Sequence, residues 1–247
     1  SQPDWSAQVK LDAKLWSDRQ IYTFDSEASN KLKAFTAANF GTNANFDSPH
    51  IDVLSQFSCA IPEVCLLAAD KTAAAGSKLV NYLRGDRGNE GVRLDNSKYF
   101  RKREHVLGDI VNARPVYVKA PIYSYNDKGY ADFKSARKDR RGMVYVAAND
   151  GMLHAFNASN GQELFAYIPG IINFGNLTDL SRRDYDHRWF VDGPISISSR
   201  SLSPDGTKNI LVGTLGRGGK GLYALDVTAP GSFTGANVKW ERNSTSA

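Results

Sequence analysis

Residues 143–170 read MVYVAANDGMLHAFNASNGQELFAYIPG, and their pattern decides the fold. Val144, Val146 and Ala148 alternate with their neighbours at the period of a strand, and Asp150-Gly151 is a tight-turn pair. Leu153, Ala155 and Asn157 run back toward a second turn at Ser159-Asn160-Gly161, and residues 163–168 make a third strand closed by Pro169-Gly170. Three short antiparallel strands cannot bury both faces alone. The stretch therefore predicts neighbours of its own kind.

Working outward, Leu153-His154-Ala155-Phe156-Asn157 returns as Leu222-Tyr223-Ala224-Leu225-Asp226, again behind a β-rich run, Ile210-Leu211-Val212-Gly213, and a glycine-rich turn. A fainter copy, Ile21-Tyr22-Thr23-Phe24-Asp25 then Ser29-Asn30 then Lys31-Leu32-Lys33-Ala34-Phe35, stands near the start. Repeated strand–turn–strand units in which each covers the apolar face of the next predict a β-propeller, with insertions where the spacing is irregular. A whole propeller has about 4 to 8 blades. Some two and a half are legible, so the chain reads as a partial propeller whose remaining blades are missing or supplied by another chain.

The 247 residues are 41% apolar with a mean hydropathy of −0.42, a globular composition without a run long enough to cross a bilayer. Ser1-Gln2-Pro3-Asp4-Trp5 lacks the regions of a signal peptide, so an exported protein would be a mature or trimmed piece. Cys59 and Cys65, the two cysteines, flank Pro62 at a separation that a bent loop can close into a disulfide, which favours an oxidising compartment. Two unrelated reduced thiols remain the alternative, and zinc would need more partners than His50. The net charge of +5 gathers in Arg101-Lys102-Arg103 and Arg137-Lys138-Asp139-Arg140-Arg141. Acids interrupt or flank both, and neither carries interleaved aromatics, so they read as solvated loops and no nucleic-acid partner is expected.

Along the chain, residues 1–35 are strand-rich, with Val9, Leu11 and Ala13 alternating with Lys10, Asp12 and Lys14. Residues 36–105 read as a helical and loop insertion carrying Cys59 and Cys65, with helical spacing over 51–57 and 73–84 and a glycine stop at Gly85. Residues 106–247 form the blades. Within them 123–140 is a long polar loop, 173–186 a polar excursion, 189–197 a strand, 203–207 a hairpin turn, and 238–241 a last strand without a following blade.

Candidate chemistry is sparse. Arg84-Gly85-Asp86 invites an adhesion reading, in which an arginine and an aspartate presented by a glycine turn bridge an acidic pocket and a metal ion; the competing reading is a helix end with its glycine stop. His50, His105, His154 and His187 are scattered, His154 standing where the repeat has Tyr223. Asp184-Tyr185-Asp186-His187 reads as a solvated acidic turn. Asn126-Asp127-Lys128-Gly129-Tyr130-Ala131-Asp132 has too few alternating oxygens for a calcium loop, and Gly216-Arg217-Gly218-Gly219-Lys220-Gly221 joins two strands rather than opening a helix. No catalytic or metal-binding set emerges.

Four segments together resemble the C-terminal propeller of the PilC/PilY family of type IV pilus assembly and tip proteins. They are Asn81-Tyr82-Leu83-Arg84-Gly85-Asp86-Arg87, Leu107-Gly108-Asp109-Ile110-Val111-Asn112 with Pro115-Val116-Tyr117-Val118, the core 143–156, and Gly218-Gly219-Lys220-Gly221-Leu222-Tyr223-Ala224-Leu225-Asp226. The resemblance implies a mainly β, quinoprotein-like propeller, exported to the bacterial surface, outer membrane or pilus tip. It also implies a non-enzymatic role in pilus assembly, extension, retraction and attachment, with minor pilins and a host or abiotic surface as partners. A calcium site of the family would fall in a loop expected beyond Ala247, leaving no cofactor in this chain. The alternative is a quinone-dependent dehydrogenase-like propeller, since residues 155–164 also resemble the repeat of that class; no adjacent cysteine pair or cofactor ligand set accompanies it.

Overall fold

The computed structural model describes residues 4–26, 28–29, 31–40, 68–93, 95, 97–203 and 206–244. The chain opens with a short helix, α1 (Ala7–Asp12), where the sequence alternation suggested a strand. Only Leu11 of its apolar positions is buried, Val9 being 62% exposed, so the alternation did not mark a two-faced strand. β1 (Ile21–Phe24) and β2 (Leu32–Ala34) make the expected antiparallel hairpin, followed by α2 (Ala37–Phe40). The helix expected over 73–84 is two, α3 (Ala68–Ala74) and α4 (Ser77–Arg84), separated at Gly76, and α4 stops on Gly85 in the left-handed conformation at φ 119°. The expected 51–57 helix, Cys59 and Cys65 lie outside the described residues.

β3 (Glu90–Gly91) and β4 (Phe100–Arg101) form a small parallel pair before β5 (Val116–Val118). Residues 123–140 are not all loop: Gly129 at φ 82° turns the chain into α5 (Tyr130–Ala136), held down by buried Tyr130 and Phe133. The deciding stretch folds as read, into β6 (Met143–Ala147), β7 (Leu153–Asn157) and β8 (Glu163–Ile168), with Gly151 and Gly161 at positive φ in the two turns. β9 (Ile195–Ile197), the hairpin β10 (Ser201–Ser203) and β11 (Gly206–Lys208), then β12 (Ile210–Thr214), β13 (Gly221–Asp226) and β14 (Val238–Asn243) complete the order.

Two blades result. β5 to β8 pair consecutively antiparallel, and β9, β12, β13 and β14 do the same with the β10–β11 hairpin inserted after the first strand. Among the described residues these are two blades, fewer than the about 4 to 8 of a whole propeller. The β1–β2 hairpin is not a third blade. It extends the first, β1 lying parallel to β8 with Ile21 opposite Ala166 and Thr23 opposite Ile168, for the sheet order β2-β1-β8-β7-β6-β5.

Strand period explains why the first blade is covered on both faces. Met143, Tyr145 and Ala147 enter the main core with the second blade and α4, while Val146, Ala148 and Phe156 form a smaller cluster with Leu11, Val106 and Leu107. Residues 173–186, expected to be a polar excursion, contribute to the main core. Their 3-10 stretch Phe174–Ser181 buries Phe174, Leu177 and Leu180, spaced at the three residues per turn of that helix, against α4.

Candidate functional site

Arg84-Gly85-Asp86 sits at the end of α4, and its arginine is internal. Arg84 is 4% exposed. Its guanidinium donates to the carbonyls of Phe35, Trp16 (3.1 Å), Ser17 (3.3 Å) and Arg19 (2.9 Å). Asp86 accepts from the Gly88 N–H at 2.9 Å, an ordinary turn contact. This is the helix-end geometry, and it leaves no arginine side chain free to reach a partner.

His154 is a strand residue, as the repeat implied, but it is also the centre of a buried ionic network that the sequence reading missed. Its Nδ1 donates to Glu163 at 2.8 Å and its Nε2 to Asp150 at 3.0 Å. Arg19 grips the same Glu163 through Nε at 2.8 Å and a second nitrogen at 2.9 Å. Burial alone would lower the histidine pKa, yet the charges and hydrogen bonds of Asp150 and Glu163 outweigh it and hold the imidazolium up at about 9. Glu163 is itself held well below the usual carboxylate range, burial opposing and the Arg19 and His154 charges prevailing. Two cations thus face two carboxylates, and the network fastens the segment before β1 to the first blade.

The motif at 107–112 joins blade to blade. The Gly108 N–H meets Asp150 at 3.0 Å, and a Cβ there would lie 2.4 Å from the Asp150 nitrogen, so glycine is required. The N–H groups of Val111, Asn112 and Ala113 close around buried Asp192 at 3.0, 2.9 and 2.8 Å. At the far end, Glu241 of β14 accepts from Tyr167 at 2.5 Å and the Gly170 N–H at 2.9 Å. Burial pushes its carboxyl up to about 7, although those donors pull the other way. The folded chain therefore prefers the protonated form, a contribution complete below pH 4.5 and lost as pH rises through about 7. The Glu241 share of the decline in denaturant titrations from pH 5 to 8 is expected to be about 2–3 kcal/mol, and Glu241→Gln is expected to remove that share and leave the part due to His154.

The charged runs are less solvated than expected. Arg103 is buried, paired with Glu90 at 2.6 Å and stacked on the Tyr82 ring at 3.8 Å. Asp184, expected in a solvated turn, pairs with Arg182 at 2.8 Å with a nearly inaccessible side chain, and His187 reaches Asp109 at 2.8 Å. Among the described residues no group of three or more His, Cys, Asp or Glu could hold a metal ion.

Where the first strands of the two blades meet, β5 and β9 flank an open cleft of about 590 Å³. Tyr117 and Ile122 at its rim are 59% and 78% exposed, and Tyr123 is 52% exposed. Tyr130 also lines it, is 1% exposed, and its hydroxyl meets no hydrogen-bond partner among the described residues. Arg140 ties the cleft together, donating to Asn209 Oδ1 at 2.5 Å and to the Lys119 carbonyl at 3.0 Å. In the sequence 123–140 reads only as a long polar loop; its clustered tyrosines, Tyr123, Tyr125 and Tyr130, are the available signal.

The family profile described as the PilY1 beta-propeller domain matches residues 107–244, from the interblade motif to the last strand of the second blade. A Xylella fastidiosa protein described as a type IV pilus biogenesis factor PilY1 homolog is 41% identical over 179 residues, 70% of this chain and 14% of its own length. A Pseudomonas aeruginosa protein described as type IV pilus biogenesis factor PilY1 is 40% identical over 255 residues, 96% of this chain and 19% of its own. The chain thus spans less than a fifth of the length of these curated relatives. The crystal structure of the Pseudomonas aeruginosa PilY1 C-terminal domain is similar at 32% identity, over 51% of this chain and 25% of that one, with a TM-score of 0.38. With more than half its length inside the matched profile, and that part folding as two stapled blades, the chain belongs to the PilY1 β-propeller domain family.

Proposed function

We propose that this chain is a non-enzymatic binding portion of a type IV pilus biogenesis factor, acting at the cell surface or pilus tip in assembly, extension and retraction, and in attachment to surfaces. The observation that carries the reading is the family match over 107–244, which coincides with the two blades. A presenting rather than a reacting surface is supported by two observations: the buried charges Asp150, His154 and Glu163 of the first blade are spent on internal ties, and exposed aromatics gather at the β5–β9 cleft. Minor pilins and a host or abiotic surface are its partners, and Cys59 and Cys65 form its disulfide in the oxidising compartment.

In-frame removal of the encoded segment from the full-length gene is the test. Loss of surface pili, twitching and attachment is expected, with the truncated protein still present by immunoblot. Normal piliation and attachment would overturn the proposal, and so would a quinone absorbance with dehydrogenase turnover in the purified protein. Intact mass two hydrogens lighter before reduction is expected for the Cys59–Cys65 bridge.

A further inference from the structure

We propose that the cleft between β5 and β9 is a binding site for an acidic saccharide, a chain of sugar units bearing carboxylates. This rests on the proposed role only for its setting; the ligand chemistry is argued from the cleft itself.

Volume comes first. At about 590 Å³ the cleft lies within the range of small-ligand sites, roughly 300–1,000 Å³. Charge comes second. Lys119, Lys138 and Arg140 line it, and among the described residues no carboxylate does. Among the described residues the Lys119 and Lys138 side chains enter no ion pair, whereas the Arg140 guanidinium is committed to the Asn209 side chain and to backbone carbonyls. Two uncommitted ammonium groups beside a fixed guanidinium attract an anion.

Aromatic surface is the third feature. Tyr117 and Tyr123 offer half-exposed rings, apolar faces with a polar edge, which suit the C–H face and hydroxyl edge of a sugar ring. Tyr123 also packs on Tyr125 at 5.6 Å, and Tyr125 on Tyr130 at 4.9 Å, so the shelf is backed by a fixed aromatic run. The fourth feature is Tyr130 itself. Its hydroxyl is buried and has no partner among the described residues, and it lies in the wall of the cleft, where a ligand group can supply the missing bond.

The same cleft is poorly made for an extended acidic peptide. Such a segment would add a strand to the free edge of β5, but β5 is three residues long and bracketed by Pro115 and Pro121, which have no N–H to give.

The test is isothermal titration of the full-length protein with oligogalacturonate, with maltodextrin as the neutral saccharide and oligoglutamate as the acidic peptide. Oligogalacturonate alone is expected to bind, more weakly as salt rises. The Lys119→Ala/Lys138→Ala variant, both positions exposed, is expected to lose affinity about tenfold. Tyr130→Phe is expected to lose roughly three- to tenfold while melting no lower than the parent, because the hydroxyl it removes has no partner among the described residues. Absence of oligogalacturonate binding, equal binding of maltodextrin, equal or tighter binding of oligoglutamate, or unchanged affinity in Tyr130→Phe would each overturn the proposal. Titration and piliation fail separately: a protein that binds oligogalacturonate but is dispensable for pili keeps its ligand and loses the pilus role.

Discussion

Glu163→Gln is expected to lower the stability of the protein by about 3–5 kcal/mol in urea titrations near neutral pH. Glutamine keeps the shape of the side chain, but both carboxylate oxygens accept from Arg19 or His154 N–H groups, so its amide NH2 meets a donor where an acceptor stood. What disappears is a charge, and Arg19 and His154, both fully buried, are left facing Asp150 alone. Breaking a buried pair from one side strands a cation in a low-dielectric site, which costs far more than the pair contributes as a unit. The histidine gives a second readout. Its pKa of about 9 depends on both carboxylates, so its NMR titration is expected to move toward the ordinary value in the variant. In the parent, the contribution of His154 is complete below pH 6.5 and lost as pH rises through about 9; the variant is expected to lack most of that alkaline slope. Adding Arg19→Leu to Glu163→Gln is expected to cost less than the sum of the two single changes, as groups in one network couple. A loss under 1 kcal/mol for Glu163→Gln would refute the network's role.

Arg84→Ala is expected to be comparably severe, about 3–5 kcal/mol, and Asp86→Ala nearly silent. Four backbone carbonyls from residues 16 to 35 converge on one guanidinium, so truncation leaves a set of buried acceptors without donors at about 1–3 kcal/mol for each that water cannot reach. Lysine should not rescue, because a point cation cannot serve four acceptors arranged around a planar fork. Asp86 has one turn contact to lose. Equal melting of Arg84→Ala and the parent would refute the assignment. An attachment assay separates fold from contact: Asp86→Glu that melts normally yet abolishes attachment would make the aspartate a contact in its own right.

What could be read from the sequence was local. The 143–170 meander, its copy at 210–226, the 21–34 hairpin and the Gly85 stop were legible because period-two alternation and turn glycines act over a few residues. The 3-10 stretch was not, because Phe174, Leu177 and Leu180 follow a period of three that matches neither the strand nor the helix template. Nor was the β1–β8 pairing, whose register couples residues some 145 positions apart. The ionic network was half visible: Asp150, His154 and Glu163 lie within one stretch, but the Arg19 that balances them comes from another. The cleft was invisible for the same reason, since 117–140 and 197–209 meet only when two blades stand side by side.

The parallel lie of β1 on β8 has a mechanical meaning. Tension entering at the N-terminal end of β1 and leaving at the C-terminal end of β8 pulls the two strands in opposite directions along a common axis. Their rungs are then strained together instead of opening one after another like a zip, and the Arg19–Glu163 tie stands just ahead of the first rung. The attachment of the leading segment is thereby set to resist a pull along the chain.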